Sequence, residues 1–284
     1  MGLPLRPFDE TIDLALTEDL CAGDITTDTL ISDEWLGKAS FVAKAEGVLA
    51  GIEIAGRVFS KVDPEIRLQV FLPDGINLQP GDIIGVLTGQ LSSILKAERT
   101  ALNFLQHLSG IASETARYVT AVKGLPVKIL DTRKTLPGLR LLEKYAVRMG
   151  GGQNHRLNLG DGILIKDNHL VALYKQGLSL KEIIAKARQG TSAHLGVEVE
   201  TKTPEEARQV AEAGADIVML DNMSPEAMQQ AVKLVKGQAL IEASGGITLA
   251  NVRAVAEIGV DFISVGALTH SVKALDISLE FEIT

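Results

Sequence analysis

GVEV at 196–199, DIVML at 216–220, ALIEA at 239–243 and FISVG at 262–266 are short aliphatic runs that recur at intervals of about 20 residues. VKIL at 127–130 and GILI at 162–165 precede them in the same style. Runs this apolar read as strands buried on both faces, and amphipathic helical stretches separate them, most clearly at 204–213 and 225–236. Thr203-Pro204-Glu205-Glu206 offers a capping Thr, a Pro at the first helical position and a Glu to complete a capping box. Ser224-Pro225-Glu226 repeats the cap and the proline. Parallel strands in βαβ units follow, and so short a repeat fits a barrel rather than a wide open sheet. Six strands are countable rather than eight, so the expectation is an incomplete, open TIM-like α/β barrel of about six strands.

Upstream the texture is mixed α/β. A helix is expected from about Phe8 to Leu20, and strands near Ala39–Ala45, Ile66–Leu72 and Ile83–Gly89, with turns at Pro73-Asp74-Gly75 and Pro80-Gly81-Asp82. Residues 92–123 turn helical, with Leu95, Leu102, Leu105 and Leu108 at helical spacing and a break expected around Ser109-Gly110. These elements make an N-terminal α/β sandwich domain, 1–112, followed by the barrel domain, 113–275. The tail, 276–284, alternates like a strand and is expected to return to the N-terminal sheet.

Of 284 residues 28 are basic and 36 acidic, a net charge of −8 that argues against coating nucleic acid. Cys21 is the only cysteine, which excludes a disulfide framework and a Cys-rich zinc site. MGLPLRPFDE meets acids before any apolar run develops, and the most apolar stretch, 39–59, is interrupted by Lys44, Glu46, Glu53 and Arg57. The expectation is a soluble cytoplasmic protein with no membrane or nucleic-acid partner.

Chemistry collects where the barrel strands end. Asp131-Thr132-Arg133-Lys134 follows the first run, Lys166-Asp167-Asn168-His169 the second, then come Glu200, Asp221-Asn222, Ser244-Gly245-Gly246 and Val265-Gly266-Ala267. In a barrel these positions surround one mouth. From Lys128 to His169 eight Lys/Arg face four acids, a +4 window in an acidic chain. Arg supplies a planar fork for carboxylate or phosphate and Lys a point charge, so Arg133, Lys134 and Lys166 suit a small polyanion. Lys144 and Arg148 read instead as a solvated helix face, and Arg99 as an exposed helix charge. Glycines at two successive strand ends, with Thr248 as a cap for a following helix, suit a phosphate. Glu200 and Asp221 suit Mg²⁺, ribose hydroxyls or a developing cation, or else simply cap their loops. Gly150-Gly151-Gly152-Gln153-Asn154-His155-Arg156 is either a flexible loop or a backbone wrapped closely around a ligand.

The combination of Glu98-Arg99-Thr100-Ala101-Leu102-Asn103-Phe104, Asp131-Thr132-Arg133-Lys134-Thr135, Gly151-Gly152-Gln153-Asn154-His155-Arg156, Leu164-Ile165-Lys166-Asp167-Asn168-His169, Val197-Glu198-Val199-Glu200, Met219-Leu220-Asp221-Asn222 and Glu242-Ala243-Ser244-Gly245-Gly246 resembles the quinolinate phosphoribosyltransferase family, end to end and in order. The resemblance implies quinolinate and 5-phosphoribosyl 1-diphosphate as substrates, nicotinate mononucleotide, diphosphate and CO₂ as products, and Mg²⁺ as cofactor. It implies that Arg133, His155 and Arg156 hold the quinolinate carboxylates, with Lys134 and Lys166 completing the positive pocket and Thr132 a further substrate-binding residue. Glu200 and Asp221 would engage ribose hydroxyls and Mg²⁺, while Ser244, Gly245, Gly246, Val265, Gly266 and Ala267 bind the 5-phosphate beside His270. It further implies a homodimer in which Arg99 completes the neighbouring site. Rival readings are a same-fold paralogue, either one acting on another pyridine acid or the molybdenum-locus homologue, a Schiff-base aldolase using Lys166 or Lys134, and a polyanion-binding module without activity.

Overall fold

Two units make up the computed structural model, which describes residues 8–190 and 196–282. Residues 1–7 of the expected N-terminal domain and 283–284 of its tail lie outside the described residues. The first unit comprises Met1–Ala116, Leu136–Gly151 and Ser271–Thr284, and the second Arg117–Thr135 and Gly152–His270. Its first stretch carries α1 (Asp9–Leu20), α2 (Ile25–Leu30), β1 (Leu36–Ala43), β2 (Gly47–Val48), α3 (Ile52–Val62), β3 (Arg67–Val70), β4 (Asn77–Leu78), β5 (Ile83–Gln90) and most of α4 (Leu91–Ala121). Two later elements join that unit, α5 (Arg140–Met149) and β12 (Ile277–Glu282).

The first unit's main sheet runs β12-β1-β5-β3, antiparallel throughout, so the chain's end does pair with β1, Ala43 opposite Ile277 and Lys38 opposite Glu282. Phe41 and Phe59 meet edge to face, 6.0 Å between centroids, in its core. Helix α3 begins where the Asp74 carboxylate accepts the N–H groups of Gly51 and Ile52, at 2.7 and 3.1 Å. The Tyr145 hydroxyl donates to the same carboxylate at 2.6 Å, which docks α5 in this unit.

The division therefore differs from a single border at 112/113. Helix α4 also runs unbroken through Ser109 and Gly110. Both residues are small because of packing: the Ser109 hydroxyl accepts the Ala50 N–H at 3.0 Å, and a Cβ on Gly110 would collide with the Lys273 carbonyl. Gly150 likewise has no room for a Cβ against the Ala112 backbone, so close packing rather than flexibility explains that glycine. Lys144 contradicts the solvated-face reading, being 1% exposed beside the fully buried Glu143, while Arg148 is exposed and lies over the Tyr145 ring. Glu143 takes its partners from elsewhere, His107 at 2.9 Å and the Leu136 N–H at 3.2 Å. Partners at such sequence distance turn an ordinary helix charge inward.

The second unit contains β6 (Lys128–Leu130), β7 (Ile163–Ile165), α6 (Asp167–Lys175), α7 (Leu180–Gln189), β8 (Val197–Thr201), α8 (Pro204–Glu212), β9 (Ile217–Asp221), α9 (Pro225–Val235), β10 (Leu240–Ser244), α10 (Val252–Glu257), β11 (Phe262–Ser264) and α11 (Ala267–His270). All six aliphatic runs are strands of one parallel sheet, ordered β6-β11-β10-β9-β8-β7. Its two ends do not pair with each other; a single bridge from Leu130 to Gln153 extends the β6 edge. One face buries Val197, Val199, Val218, Leu220, Ile241, Ala243 and Ile263, and α8 and α9 bury Ala207, Val210, Met228, Ala231 and Val235. The Thr203 and Ser224 hydroxyls cap those helices by accepting the N–H groups of Glu206 and Ala227. Each such cap contributes about 1 kcal/mol. The reciprocal half of the first box is not made, because the Glu206 carboxylate accepts the Lys202 N–H instead. No helix among the described residues is long and apolar enough to cross a membrane.

Candidate active site

Because strand side chains alternate, Glu198 and Glu200 of β8, Met219 and Asp221 of β9, Glu242 and Ser244 of β10, and Ser264 of β11 share the sheet's other face. A cavity of about 500 Å³ opens there. It is lined by Thr132, Arg133, Lys134, His155, Arg156, Lys166, Glu200, Asp221 and Ser244, nine of the expected site residues, and also by Asn222, Glu242 and Ser264.

A buried acid brings the GGQNHR segment to this place. Asp131, fully buried at the end of β6, accepts the His155 N–H at 2.9 Å and the Asn154 amide at 2.5 Å. Its own N–H donates to the Gln153 carbonyl at 3.1 Å. The segment thus extends the open β6 edge and delivers His155 and Arg156 to the cavity that Arg133 lines. Burial, and then the charge of Arg133, hold the Arg156 guanidinium below its ordinary pKa. Two guanidinium groups that repel each other across a cavity are relieved by a bound anion.

At the rim, opposite charges neutralise one another. Lys166 Nζ lies 2.6 Å from Glu200, and Lys202 Nζ lies 2.6 Å from Asp167. Lys134 is fixed through its backbone: Thr132 Oγ1 accepts its N–H at 3.0 Å, and its carbonyl accepts the Thr269 hydroxyl at 2.8 Å. Gly266 lets the Lys134 and His270 side chains come close, since its Cβ would lie 3.1 Å from both.

The floor is acidic. His155 Nε2 stands 3.1 Å from Glu198 and 3.5 Å from Glu242, both buried. Burial alone would lower the imidazole pKa, but the two carboxylates beside it outweigh that and push it up to about 10. The Arg156 N–H points at Nδ1 from 2.8 Å, so in the neutral ring, as in the charged one, Nε2 carries the hydrogen that faces Glu198. Burial, and the neighbouring Glu242 charge, push the Glu198 carboxyl upward against the pull of His155.

Asn222 is the one non-glycine among the described residues with a left-handed backbone, φ 54°. Asn tolerates that conformation better than most residues, at a cost of order 1 kcal/mol. Its amide donates to Asp221 at 3.0 Å and its N–H to the Ser244 carbonyl at 2.9 Å. A Cβ on Gly245 would occupy the Asn222 amide's space, and Gly245 and Gly246 themselves have φ of 88° and 65°.

The remaining expected residues do not line this cavity. Val265 is buried and donates its N–H to the Leu130 carbonyl at 2.9 Å, so that donor is not offered to a phosphate. Thr248 does not cap a helix: α10 starts after Asn251, whose side chain instead accepts the Thr248 N–H at 2.8 Å. Gly245, Gly246 and Gly266 sit in the adjoining strand-end loops, and Ala267 and His270 are the first and last residues of the short α11. Arg99 belongs to the first unit, exposed on a cavity of about 260 Å³ that also touches Glu18, Asp19, Asn103 and His107. Glu242, Ser264 and Asn222 were missed from the sequence, although two-residue alternation from Ser244 already puts Glu242 on the site's face.

Glu200 and Asp221 are hard oxygen donors on the cavity wall, a donor set that fits Mg²⁺ shared with substrate oxygens.

Known proteins resemble this chain over most of its length. Residues 24–109 match the model of the quinolinate phosphoribosyl transferase N-terminal domain, and 111–280 that of the C-terminal domain. A probable carboxylating nicotinate-nucleotide pyrophosphorylase of Bacillus subtilis is 44% identical over 93% of this chain and 89% of its own. A decarboxylating quinolinate phosphoribosyltransferase of Nicotiana glauca is 41% identical over 98% of this chain and 83% of its own. The crystal structure of NadC from Streptococcus pyogenes superposes with a TM-score of 0.93 at 44% identity, covering all of both chains.

Proposed function

Since the chain belongs to the quinolinate phosphoribosyltransferase family, we propose a division of labour among its residues for the family's reaction. The enzyme transfers phosphoribose from 5-phosphoribosyl 1-diphosphate to quinolinate with decarboxylation, giving nicotinate mononucleotide, diphosphate and CO₂. The observation that carries the assignment of roles is the cavity lined by Arg133, Lys134, His155, Arg156 and Lys166 on one side and by Glu200 and Asp221 on the other.

Arg133 and Arg156, with Thr132, hold the two quinolinate carboxylates, because planar forks match a diacid and their mutual repulsion is relieved by it. His155, whose two ring nitrogens already face the Arg156 N–H and the floor carboxylates, positions Arg156. Lys134 and Lys166 offset charge on the departing diphosphate. The pyridine nitrogen's lone pair forms the bond to C1′ while the C1′–oxygen bond breaks and its electron pair leaves with diphosphate. Glu200 and Asp221 face the ribose, whose oxocarbenium character they favour electrostatically. Mg²⁺ held by those two carboxylates and by substrate oxygens would neutralise diphosphate charge. Once quaternary, the ring accepts the electron pair of the bond to the 2-carboxylate as CO₂ departs, and a solvent proton takes its place. Ser244 to Gly246 and Gly266 to Ala267, with His270, receive the 5-phosphate. The working enzyme is a cytoplasmic homodimer in which Arg99 completes the neighbouring site.

The deciding assay is release of diphosphate and CO₂ from purified protein with Mg²⁺, 5-phosphoribosyl 1-diphosphate and either quinolinate or nicotinate. Equal release of both products with quinolinate and none with nicotinate is expected. Silence with quinolinate would assign the chain to a paralogue with another acceptor.

A further inference from the structure

Glu242 is 1% exposed and lines the cavity, and neither of its carboxylate oxygens has a hydrogen-bond partner; the His155 ring, 3.5 Å away and shared with Glu198, faces it without bonding it. Glu198, 5% exposed, leaves Oε1 equally orphaned, and so does Ser264, 3% exposed, at its hydroxyl. Buried carboxylates without donors are among the costliest arrangements in a protein interior, and an apolar side chain would serve stability better. The cost needs a reason in the reaction.

A resident metal does not supply it. His155, Glu198 and Glu242 place ligand atoms within 4.8 Å of one another, but the Arg156 N–H occupies Nδ1 and so puts the ring hydrogen on Nε2. The nitrogen that faces the carboxylates then has no lone pair for a metal. A clamp for the substrate's carboxylates does not supply it either, since like charges repel. What changes sign during the reaction is the ring. It is uncharged in quinolinate and cationic once its nitrogen bonds C1′.

We propose that Glu242, seconded by Glu198, is a catalytic carboxylate that stabilises the positive charge the pyridine ring acquires during transfer. The proposal rests on the reaction stated above. A carboxylate in the floor disfavours the bound dianion and favours the cationic ring, which is differential binding of the later state. The sheet register supports a pairing of roles. Glu200 and Glu242 flank Met219 in one row, so one carboxylate serves the ribose cation and the other the ring cation.

The test is Glu242→Gln, with Glu198→Gln as a second variant. Steady-state kinetics are measured with quinolinate, and calorimetry compares quinolinate with its N-methylated pyridinium analogue in the absence of 5-phosphoribosyl 1-diphosphate. For E242Q, kcat should fall about 100-fold while the KM for quinolinate stays level or falls. The preference for the N-methyl cation over quinolinate should shrink about 10-fold. E198Q should show the same signs at smaller size, and it decides the question if E242Q does not fold. An unchanged kcat and preference would overturn the proposal. So would a raised KM with kcat kept, which marks a clamp, or equal weakening of both ligands with a lowered Tm, which marks a structural role. Wild-type protein that releases no diphosphate from quinolinate fails the reaction itself, whereas active wild type beside equally active E242Q fails only the role of Glu242.

Discussion

Glu200 and Glu242 occupy one register row of the parallel sheet, one strand either side of Met219, and the same side chain meets opposite circumstances. Glu200 keeps contact with solvent and holds Lys166 at 2.6 Å. Glu242 is sealed in, without a donor to either oxygen. The rim is built from cations and carboxylates that neutralise each other until substrate separates them. The floor holds charges that only an unusual neighbour can satisfy. Exposed pairs are cheap to make and to exchange, while buried orphans persist only where function compensates. Rim residues should therefore act on substrate binding as well as on rate, and floor residues on the rate of the chemistry alone.

The largest effects should come from the guanidinium clamp. Truncating one partner of a desolvated charge pair costs about 2–5 kcal/mol, so Arg133→Ala or Arg156→Ala should raise the KM for quinolinate by about 100-fold or more, with binding of 5-phosphoribosyl 1-diphosphate kept. Isothermal titration with each substrate separately checks this. Full rescue by Arg133→Lys would show that a point charge suffices and would break the planar-fork reading. Next comes Glu200→Gln, expected to lower kcat about 100- to 1,000-fold. Unlike E242Q, it should also loosen 5-phosphoribosyl 1-diphosphate and its Mg²⁺ dependence, so identical signatures for the two glutamines would erase the distinction between rim and floor.

Asp131 connects the two layers. Asp131→Ala leaves the His155 N–H and the Asn154 amide without an acceptor that the fold now provides. One unsatisfied buried group costs about 1–3 kcal/mol, so Tm should fall by several degrees and quinolinate affinity with it. A variant that keeps affinity while losing stability would show that His155 and Arg156 find their places without the β6 edge.

How much of this was legible depends on how far apart the partners lie in sequence. The six strands were readable because burial on both faces leaves an aliphatic signature in four or five consecutive residues, as in DIVML. Their C-terminal ends then located the site, and nine expected residues share one cavity. Glu242 was within reach, two positions before Ser244, yet it was read as part of a strand because nothing local marks a charge as orphaned. Lys144 departs from its solvated-face reading for the converse reason: the neighbouring Glu143 is paired with His107, 36 positions away, on a buried part of the helix. Helix α3 has the same logic, its N-terminus capped by Asp74 more than twenty residues downstream. Gly110 looked like a helix break and is a place where two backbones touch.

The floor also has a pH signature. His155 is pushed up to about 10 from an ordinary 6.5, by the Glu198 and Glu242 carboxylates beside it, whose effect exceeds the opposing one of burial. A raised pKa means that the folded state binds the proton more tightly. The stabilisation is complete below about pH 6.5 and drains away as pH rises towards 10. Thermal melts of wild type and His155→Gln between pH 6 and 10 should converge as pH rises. Parallel curves would mean that the Arg156 N–H at Nδ1 keeps the ring neutral throughout.

Asn222 gives the smallest effect and the one with two signs. Its left-handed backbone costs of order 1 kcal/mol that a glycine would not incur, although glycine returns part of that gain through the freedom of the unfolded chain. Asn222→Gly should therefore leave Tm unchanged or slightly raised. The same change removes the amide that donates to Asp221 and the side chain that fills the space beside Gly245. Asp221 is then free to rotate, and the KM for 5-phosphoribosyl 1-diphosphate should rise several-fold while quinolinate binding, which depends on the other side of the cavity, stays put. A variant with both substrates unaffected would mean that the strained residue serves only the turn out of β9. One that loses stability would mean that its contacts with Asp221 and Gly245 outweigh its strain, so that the rim too is held by packing and not by charge alone.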